Sequence, residues 1–414
     1  MRPLYTSAVR LYAAAVHIAA PFNGKARKMI DGRRQTEAVL REKIIPGARY
    51  VWLHAASLGE FEQGRPLLEA IRERHPECKI LLTFFSPSGY DVRHNYPGAD
   101  IVCYLPFDFP RRVRRFLDLV RPSIALFVKY EFWLNTLDEL RRRRVPTYLV
   151  SGIFRPSQLF FRPGGGPYRE ALRCFDHLFV QDETSRGLLA GIGLTKVTVT
   201  GDTRFDRVID ICHAARPLPI VAAFAERDTR PVLVAGSSWP EDEALLIPYF
   251  NAHPGLKLVL APHEIHESHL AAIESRLSRP ALRLSRADDA NAAARVDCLI
   301  VDSFGLLSSI YRYARIAYIG GGFGHGIHNT AEAAVYAIPV LFGPNHRKFR
   351  EALDLIACGG AFPITDAATL GARLDTLLGD PGICTASGQS AGAYIRQHSG
   401  ATARILRSCF EFID

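Results

Sequence analysis

The sequence predicts an α/β protein with two doubly wound parallel sheets, one in each half of the chain. The first observation is that apolar runs of strand length alternate with helical patterns from about residue 50 to residue 201. The second is that Pro217, Pro219 and Pro231 interrupt this alternation, and the third is that another alternating series begins after them. Strands that alternate with helices form parallel βαβ units, and 414 residues are enough for two or three domains.

Apolar runs bounded by turn residues mark the strands of each half. In the first half they are 51–54, 80–84, 101–104, 124–128, 148–150, 178–180 and 197–199. In the second half they are 232–235, 258–261, 299–301, 316–319 and 340–342. The predicted division is a membrane-associated helix with a basic segment at 1–34, a first domain at 35–204, a linker at 205–230, a second domain at 231–390 and a helical tail at 391–414.

An apolar stretch at residues 4–22 predicts the N-terminal helix. Leu4, Leu11 and Ile18 lie on one stripe of it, and Arg10 and His17 interrupt the apolar run. The basic residues that follow at once are Lys25, Arg27, Lys28, Arg33 and Arg34. This pattern favours a helix lying in a membrane interface beside anionic lipid; a spanning helix, a cleaved signal peptide and a plain core helix are the alternatives.

Composition limits the class of protein. Nearly half of the residues are hydrophobic (48%) and 22% are charged, which excludes a disordered chain. A net charge of +9 favours anionic partners. Arginine runs at 111–112, 114–115 and 141–144 are either solvated helix faces or contacts for an acidic membrane or a phosphorylated lipid. No base-reading or stacking element accompanies them, so nucleic acid is not a predicted partner. The eight cysteines have no ligand spacing and are typical of reduced thiols in a cytosolic protein.

The first candidate site is the small-residue loop at 54–64, between a predicted strand and a predicted helix. Open α/β sheets bind ligands at such loops. Gly59 and Gly64 would let the backbone approach a substrate, and Glu60 is a candidate base for a hydroxyl proton. The spacing of Ser57 and Glu60 is equally that of a helix capping box, and spacing alone does not decide between the two functions.

The second candidate site is the glycine-rich loop at 320–326, which leads through His328 and Asn329 into a predicted helix. Such a loop offers free N–H groups and a favourable helix dipole to a phosphate, although similar turns also occur without ligands. Glu332, in the first helical turn, would either favour the dipole or accept hydrogen bonds from both ribose hydroxyls of a nucleotide.

The stretch His-Ala-Ala-Ser-Leu-Gly-Glu at 54–60 resembles the opening loop of the 3-deoxy-D-manno-octulosonic acid (Kdo) transferases of lipid A assembly. Other stretches resemble motifs of that family in the same order: Tyr-Leu-Pro-Phe-Asp at 104–108, Glu-Phe-Trp-Leu-Asn at 131–135, Ala-Gly-Ser at 235–237, Gly-Ile-His-Asn-Thr-Ala-Glu at 326–332 and Pro-Val-Leu-Phe-Gly-Pro-Asn at 339–345. Each motif is weak alone, but the shared order to roughly residue 365 is a specific signal.

The chain departs from the family pattern at three points. Where the family often has Pro-Arg-His-Pro-Glu, this chain has Pro-His-Glu at 262–264, so the contact of the missing arginine is assigned to His263. In the motif at 326–332, Ile327 and Thr330 replace the family's second glycine and its proline. Lys129 stands where an acidic residue is usual; it would share a face with Glu131 if the strand from residue 124 persisted. Lys129 then either pairs with Glu131 or binds an anionic group of a substrate.

The resemblance implies the GT-B arrangement, with two Rossmann-like domains facing across a cleft. It implies an inverting glycosyltransferase at the cytoplasmic face of the inner membrane, which transfers Kdo from CMP-Kdo to a lipid A precursor (lipid IVA). No cofactor or metal is expected, because a CMP donor has one phosphate and no pyrophosphate to clamp. The alternatives are a GT-B enzyme that uses a UDP-sugar and a non-catalytic lipid- or nucleotide-binding protein on the same scaffold.

The site residues that follow fall into three groups. The catalytic ones are Glu60 and Glu131, and the substrate-binding ones are Ser57, Gly59 and Lys129. The nucleotide-binding ones are Gly236, Ser237, His263, Gly321, Gly322, Gly324, His328, Asn329, Glu332 and Asn345.

Overall fold

The computed structural model describes residues 2–324 and 326–410. His325 of the glycine-rich loop and residues 411–414 of the predicted tail lie outside the described residues. The chain divides into two units. Unit 1 comprises Met1–Asp206 and Ser399–Asp414, and unit 2 comprises Arg207–His398.

Each unit contains one seven-stranded sheet in which all neighbouring strands are parallel. The strands of unit 1 are β1 (Tyr50–Ala55), β2 (Lys79–Phe84), β3 (Ile101–Tyr104), β4 (Ile124–Val128), β5 (Thr147–Gly152), β6 (His177–Val180) and β7 (Val197–Val199). Those of unit 2 are β8 (Val232–Ser238), β9 (Lys257–Pro262), β10 (Ala281–Arg283), β11 (Cys298–Ile300), β12 (Ile316–Ile319), β13 (Val340–Phe342) and β14 (Ala361–Pro363). The prediction of two parallel-sheet α/β domains is confirmed; β10 and β14, three residues each, were not predicted.

Helices connect these strands. In chain order they are α1 (Arg2–Ala19), α2 (Gly24–Lys43), α3 (Leu58–Arg74), α4 (Pro87–Arg93), α5 (Pro110–Val120), α6 (Leu134–Arg142), α7 (Gly166–Leu172), α8 (Glu183–Ala190), α9 (Thr203–Ala214), α10 (Pro219–Glu226), α11 (Pro240–Ala252), α12 (Glu267–Arg276), α13 (Ala290–Ala294), α14 (Leu307–Ile310), α15 (Ala331–Ala334), α16 (Arg350–Ala357), α17 (Ala367–Gly379), α18 (Pro381–Gln397) and α19 (Ala401–Phe410). The stretch predicted as a linker at 205–230 consists largely of α9 and α10. Pro219 lies in the first turn of α10, where proline has no hydrogen bond to lose and therefore does not break the helix.

The order of the strands fixes where each sheet can bind a ligand. The sheet of unit 1 runs β3-β2-β1-β4-β5-β6-β7, and that of unit 2 runs β10-β11-β9-β8-β12-β13-β14. The chain therefore reverses direction across the sheet between β1 and β4 in unit 1, and between β8 and β12 in unit 2. A crevice opens at the carboxyl ends of the strands at such switch points.

The sheet of unit 1 is covered on both faces. Trp52 of β1 packs into one core and Leu53 into the other, because successive side chains of a strand point to opposite faces. The second core is completed by α19, whose Ile405 is fully buried and whose Phe410 ring stacks on His75 with 4.1 Å between centroids. The last helix of the chain therefore belongs to unit 1.

Helix α1 is packed on unit 1 along one face only. Val9, Ala13 and Val16 are buried, and Ala13 and Val16 contact a small core that includes Phe107. The segment predicted as a separate anchor is thus part of unit 1. The stripe of Leu4, Leu11 and Ile18 is exposed, as is Phe22 beyond the helix. Among the described residues no single helix is long and apolar enough to cross a membrane; only α9 and α10, taken together across a sharp bend, reach that length and hydropathy.

The basic residues after α1 do not form one exposed surface. Lys25, Arg27 and Arg34 are exposed, and Lys28 pairs with Asp91 at 2.7 Å. The guanidinium of Arg33 points inward instead and donates to the carbonyl oxygen of Phe85 at 2.8 Å. The prediction that Arg33 contacts a membrane surface is therefore wrong, because its side chain is enclosed by aromatic rings.

Candidate active site

The predicted residues of unit 1 meet at its switch point. Ser57, Gly59 and Glu60 follow the carboxyl end of β1, and Lys129 and Glu131 follow the carboxyl end of β4. Because β1 and β4 are neighbours in the sheet, the two loops border one crevice.

Glu60 fixes the loop that carries it. Helix α3 begins at Leu58, and the side chain of the N-cap residue Ser57 makes no capping hydrogen bond. The Oε2 atom of Glu60 accepts the N–H of Ala56 at 2.7 Å. The capping box that the spacing allowed is therefore not formed. Glu60 ties the end of β1 to the first turn of α3, which holds its carboxylate at the crevice.

The surroundings of Glu60 suit a base. Burial, and then the negative charge of Glu131, raise the pKa of the Glu60 carboxyl above its ordinary value. The hydrogen bond from Ala56 and the charges of His54 and Lys129 act in the opposite sense but do not cancel the rise. A carboxylate with a raised pKa takes up a proton near neutral pH more readily than an ordinary one.

Glu131 is held by a buried network. Its Oε2 atom accepts hydrogen bonds from Nε1 of Trp133 at 2.6 Å and from Nε2 of His54 at 2.9 Å. Nδ1 of His54 lies 2.9 Å from Oγ1 of Thr83, which also accepts the indole N–H of Trp52 at 2.8 Å. Buried charges persist where such partners satisfy them. The loop motif thus uses its histidine to fix the second carboxylate of the crevice.

Lys129 does not continue the strand. β4 ends at Val128, and Lys129 has the left-handed φ of 65°, with its N–H donating to the carbonyl of Val150 at 2.9 Å. The premise that the strand persists and brings Lys129 and Glu131 to one face is therefore wrong. The ammonium of Lys129 lies over the ring of Tyr130 at 5.6 Å from its centroid, and its charge acts on Glu60.

The two glycines of the first loop have different functions. A Cβ atom on Gly64 would come within 2.9 Å of Leu53, so this glycine lets α3 pack closely on the sheet. The expectation that Gly64 admits a substrate is wrong. A Cβ atom on Gly59 would meet nothing within 4 Å, and Gly59 is exposed, so its open side is available to a ligand.

The predicted residues of unit 2 also gather at one sheet edge. They follow the carboxyl ends of four strands: Gly236 and Ser237 end β8, His263 follows β9, Gly321, Gly322, Gly324, His328, Asn329 and Glu332 follow β12, and Asn345 follows β13. Since β9, β8, β12 and β13 are consecutive in the sheet, the loops are neighbours at its switch point.

Glycine is required by packing within the loop at 320–326. A Cβ atom on Gly322 would lie 2.5 Å from Cα of Gly343, and Gly321 has the left-handed φ of 87°. Asn345 supports the loop, because its N–H donates to the carbonyl of Gly322 at 2.8 Å and its Nδ2 to that of Gly324 at 3.1 Å. Gly324 is exposed with open space beside it.

The buried carboxylate of Asp242, in the first turn of α11, holds this loop in place. Asp242 accepts hydrogen bonds from the hydroxyl of Tyr318 at 2.6 Å, from the N–H of Gly321 at 2.8 Å and from the N–H of Trp239 at 2.9 Å. Burial raises the pKa of Asp242. Sequence reasoning missed this residue, and its only signal is that acidic side chains follow β8 at the start of a helix.

Three aromatic rings lie side by side next to the loop. Trp239 stacks on His263 with centroids 4.7 Å apart, and His263 lies 4.6 Å from His328. The indole N–H of Trp239 points to Nε2 of His328 at 3.3 Å, which makes that nitrogen an acceptor. Burial lowers the pKa of His328 to about 4, so its ring is neutral at physiological pH. His263 is exposed and offers a flat ring surface.

Glu332 is oriented by its neighbour. Nδ2 of Asn329 donates to Oε1 of Glu332 at 3.0 Å, and Oδ1 of Asn329 accepts the N–H of Ala331 at 3.1 Å. The charge of Glu332 contributes to a raised pKa of the buried Tyr311 hydroxyl. That hydroxyl fills the space that a Cβ atom on Gly236 would need, at 2.0 Å, so Gly236 makes room for Tyr311.

The described residues contain no group of three or more His, Cys, Asp or Glu side chains arranged to hold a metal ion.

Comparison with known proteins identifies relatives over most of the chain. A family model described as 3-deoxy-D-manno-octulosonic-acid transferase (kdotransferase) matches residues 26–207. A 3-deoxy-D-manno-octulosonic acid transferase from Bordetella pertussis is 32% identical over 378 residues, which cover 87% of this chain and 87% of that protein. One from Aquifex aeolicus is 26% identical and covers 79% of this chain and 86% of that protein.

Among solved structures, the UDP-GlcNAc 2-epimerase from Neisseria meningitidis bound to UDP-GlcNAc has a TM-score of 0.60 at 13% identity. The match covers 87% of this chain and 100% of that one. At this level of identity the likeness shows the fold alone, a pair of parallel-sheet α/β domains of the GT-B kind.

Proposed function

The chain belongs to the 3-deoxy-D-manno-octulosonic acid transferase family, and from this premise we propose that its donor is CMP-Kdo and its acceptor the lipid A precursor lipid IVA. The enzyme is a Kdo transferase, a glycosyltransferase of lipopolysaccharide synthesis. The finer assignments below concern the two substrates, the residues that act on them and the membrane.

In this proposal the acceptor hydroxyl attacks the anomeric carbon of Kdo with inversion. The new bond joins the acceptor oxygen to that carbon, and the bond from the carbon to the phosphate oxygen of CMP breaks. The acceptor proton passes to Glu60. The observation that carries the assignment is that Glu60 stands at the switch-point crevice with a raised pKa and one fixed hydrogen bond.

Glu131 and Lys129 assist at the same crevice. The negative charge of Glu131 raises the pKa of Glu60, so Glu131 strengthens the base that removes the proton. Lys129, at the carboxyl end of β4, is suited to bind an anionic group of a substrate. Ser57 and the open side of Gly59 complete the substrate contacts in this assignment.

CMP is assigned to the sheet edge of unit 2. The glycine-rich loop, whose Gly321 N–H is held by Asp242, would receive the departing phosphate beside Gly322 and Gly324 and stabilise the leaving group. Glu332, oriented by Asn329, would accept the ribose hydroxyls. The exposed ring of His263 would stack on the base, with Ser237, His328 and Asn345 beside it.

The exposed stripe of α1 supports association with a membrane. Leu4, Leu11 and Ile18 are 76%, 73% and 75% exposed, and Phe22 is 91% exposed. Apolar side chains aligned in this way, with exposed Lys25 and Arg27 after them, are typical of a helix lying in an anionic interface. We assign the enzyme to the cytoplasmic face of the inner membrane on this basis.

A transfer assay tests the proposal. Wild-type enzyme is incubated with detergent-dispersed lipid IVA and labelled CMP-Kdo, and in parallel with labelled UDP-sugars. We expect label in the lipid from CMP-Kdo alone. In Glu60→Gln the amide oxygen can still accept the N–H of Ala56, so the loop keeps its shape while basicity is lost; turnover should fall by roughly 10²–10⁴-fold with CMP affinity unchanged.

Transfer from a UDP-sugar, or no transfer from CMP-Kdo, would overturn the donor assignment. Near-normal turnover in Glu60→Gln would instead show that Glu60 is not the base. Its function would then be to hold the loop through its hydrogen bond with Ala56.

A further inference from the structure

A basic cavity of about 270 Å³ lies where helix α2 approaches α5 in unit 1. Four arginines line it, namely Arg33, Arg34, Arg112 and Arg115, with Glu37 as the carboxylate among its lining residues. The rest of its wall is largely apolar. The cavity is slightly smaller than the roughly 300–1,000 Å³ clefts that enclose whole small ligands, so its size suits a single charged group.

The guanidinium of Arg33 is largely enclosed and has no carboxylate partner among the described residues. Its guanidinium lies 4.5 Å from the ring centroids of both Phe85 and Phe107, and its two terminal nitrogens donate to backbone carbonyl oxygens of Met29 and Phe85. Its Nε atom is buried without a hydrogen-bond partner, and no carboxylate of the described residues lies within 4.0 Å of it. Burial lowers the pKa of Arg33 to about 10. A buried charge is costly unless it is paired.

The neighbouring charges do not compensate Arg33. Arg115 pairs with Glu37 at 2.5 Å, which uses that carboxylate. Arg112 is exposed, has no carboxylate partner among the described residues, and lies close enough for its charge to lower the pKa of Arg33 further. The cavity as a whole therefore carries an excess of positive charge that a bound anion would neutralise.

The cavity is connected to the candidate active site by stacked rings. Phe85, under the guanidinium of Arg33, stacks on Trp133 with centroids 4.4 Å apart. Trp133 in turn donates its indole N–H to Glu131. The cavity and the crevice are therefore neighbours. One large molecule, such as a glycolipid, could place an anionic group at Arg33 and another group in the crevice.

We propose that this cavity binds a phosphate monoester of the acceptor lipid, held by Arg33 and Arg112. The inference rests on the proposed function in that it takes the acceptor to be a phosphorylated lipid. A phosphate dianion matches several guanidinium groups at once, because each can donate two parallel hydrogen bonds to its oxygens. The cavity therefore selects the acceptor by its phosphate and orients it toward Glu60.

The test measures acceptor binding without donor, so that its result does not depend on transfer. The dissociation constants of detergent-dispersed lipid IVA and of the same lipid after phosphatase treatment are determined for wild type, Arg112→Gln and Arg111→Gln. Arg111 lies on the same helix, is exposed and does not line the cavity, so it controls for the loss of one positive charge.

For wild type we expect phosphatase treatment to weaken binding by roughly 10- to 100-fold. Arg112→Gln should weaken binding of the untreated lipid by a similar factor and hardly affect the treated one, whereas Arg111→Gln should affect neither. Arg33→Lys should behave like Arg112→Gln; if this variant does not fold, Arg112→Gln alone decides.

Equal weakening of both lipids by Arg112→Gln, or no weakening, would overturn the proposal. So would a loss of binding to phosphatidylglycerol vesicles in Arg112→Gln beyond that in Arg111→Gln, because the cavity would then hold a bulk lipid headgroup. A wild-type enzyme that binds the phosphorylated lipid as expected but transfers no Kdo would overturn the proposed function and leave the cavity assignment standing.

Discussion

The two carboxylates of the crevice have different functions in the proposed mechanism: Glu60 accepts the proton, and Glu131 raises the pKa of Glu60. A general base must be deprotonated, so activity is expected to fall as the pH drops through the pKa of Glu60. The charge of Glu131 raises that pKa, and the charge of Lys129 lowers it. Each neighbour therefore sets the position of the acid limb of the pH profile.

Substitution of the two neighbours should move the acid limb in opposite directions. Glu131→Gln removes a negative charge, lowers the pKa of Glu60 and shifts the limb to lower pH. Lys129→Met removes a positive charge, raises that pKa and shifts the limb to higher pH. The measurement is kcat/KM against pH with CMP-Kdo and lipid IVA. Glu62→Gln, in the same helix and paired with Arg93 at 2.9 Å, should leave the limb in place.

Shifts in the same direction, or no shift in either variant, would show that Glu60 is not the group that titrates.

The same Lys129→Met protein separates the two functions of the lysine. A higher KM with an unchanged melting temperature means that Lys129 binds substrate. A lower melting temperature with an unchanged KM means that Lys129 serves as an ion-pair partner of Glu131.

Two glycines of the glycine-rich loop have different functions: Gly322 is required by packing, whereas Gly324 has open space beside it. Gly322→Ala forces a Cβ atom toward Cα of Gly343, so we expect a lower melting temperature and weaker CMP binding. Gly324→Ala adds its Cβ atom in open space and should leave the melting temperature unchanged. Thermal melts and calorimetric titration with CMP provide both readouts. A lower melting temperature in Gly324→Ala alone would contradict the packing described for the loop.

Helix α1 combines a packed face and an exposed stripe, which changes how its membrane function is tested. Truncation before Lys25 would remove Val9, Ala13 and Val16 from the core, and also Tyr5, whose hydroxyl donates to buried Asp108 at 2.7 Å. A truncated chain would therefore lose stability as well as its apolar stripe.

Point substitutions on the stripe avoid this complication. Leu11→Glu and Ile18→Glu should each weaken binding to anionic vesicles by roughly tenfold or more, because burying one such side chain contributes about 1.5–3 kcal/mol. Their melting temperatures should not change, since both side chains are exposed. Val92→Glu, an exposed position on α4, is the control in a vesicle sedimentation assay. Full retention of the stripe variants on the vesicles would refute the assignment of the anchor to α1.

At the scale of the whole molecule, the last helix, α19, returns to unit 1 and packs against α3. Ile405 of α19 and Ile395 of α18 are both fully buried, but the first lies in unit 1 and the second in unit 2. Truncation of a buried isoleucine to alanine costs about 2–5 kcal/mol. Ile405→Ala should therefore speed amide hydrogen exchange in α3, whereas Ile395→Ala should speed it in unit 2. Faster exchange in unit 2 for both variants would contradict the division of the chain.

Much of the fold could be predicted because buried parallel strands are continuous apolar runs. The strands at 124–128 and 316–319 were predicted at their observed bounds. β10 and β14 were missed because a three-residue edge strand has no periodic pattern. The helices within the predicted linker were not predicted, because Pro219 begins a helix as readily as it ends one.

The candidate site was predictable where its residues follow strands. Lys129 stands directly after an apolar run and Glu60 directly after a glycine, and Glu332 follows the glycine-rich loop by six residues; such loops mark the carboxyl edge of a sheet. Their supporting partners were not predictable. Asp242 meets Gly321 across 79 residues, and Trp133 meets His54 across the same number, and no local pattern encodes such a pairing. The enclosure of Arg33 was missed for the same reason.

The return of α19 to unit 1 has a consequence for synthesis on the ribosome. All of unit 2 is translated between the main part of unit 1 and the helix that completes its second core. At about 5–20 residues per second, that interval lasts on the order of ten to forty seconds. During this time the nascent chain exposes the apolar surface of α3 that α19 later covers. The N-terminal unit is thus begun first and completed last, and its uncovered apolar face is open to association until α19 has been synthesised.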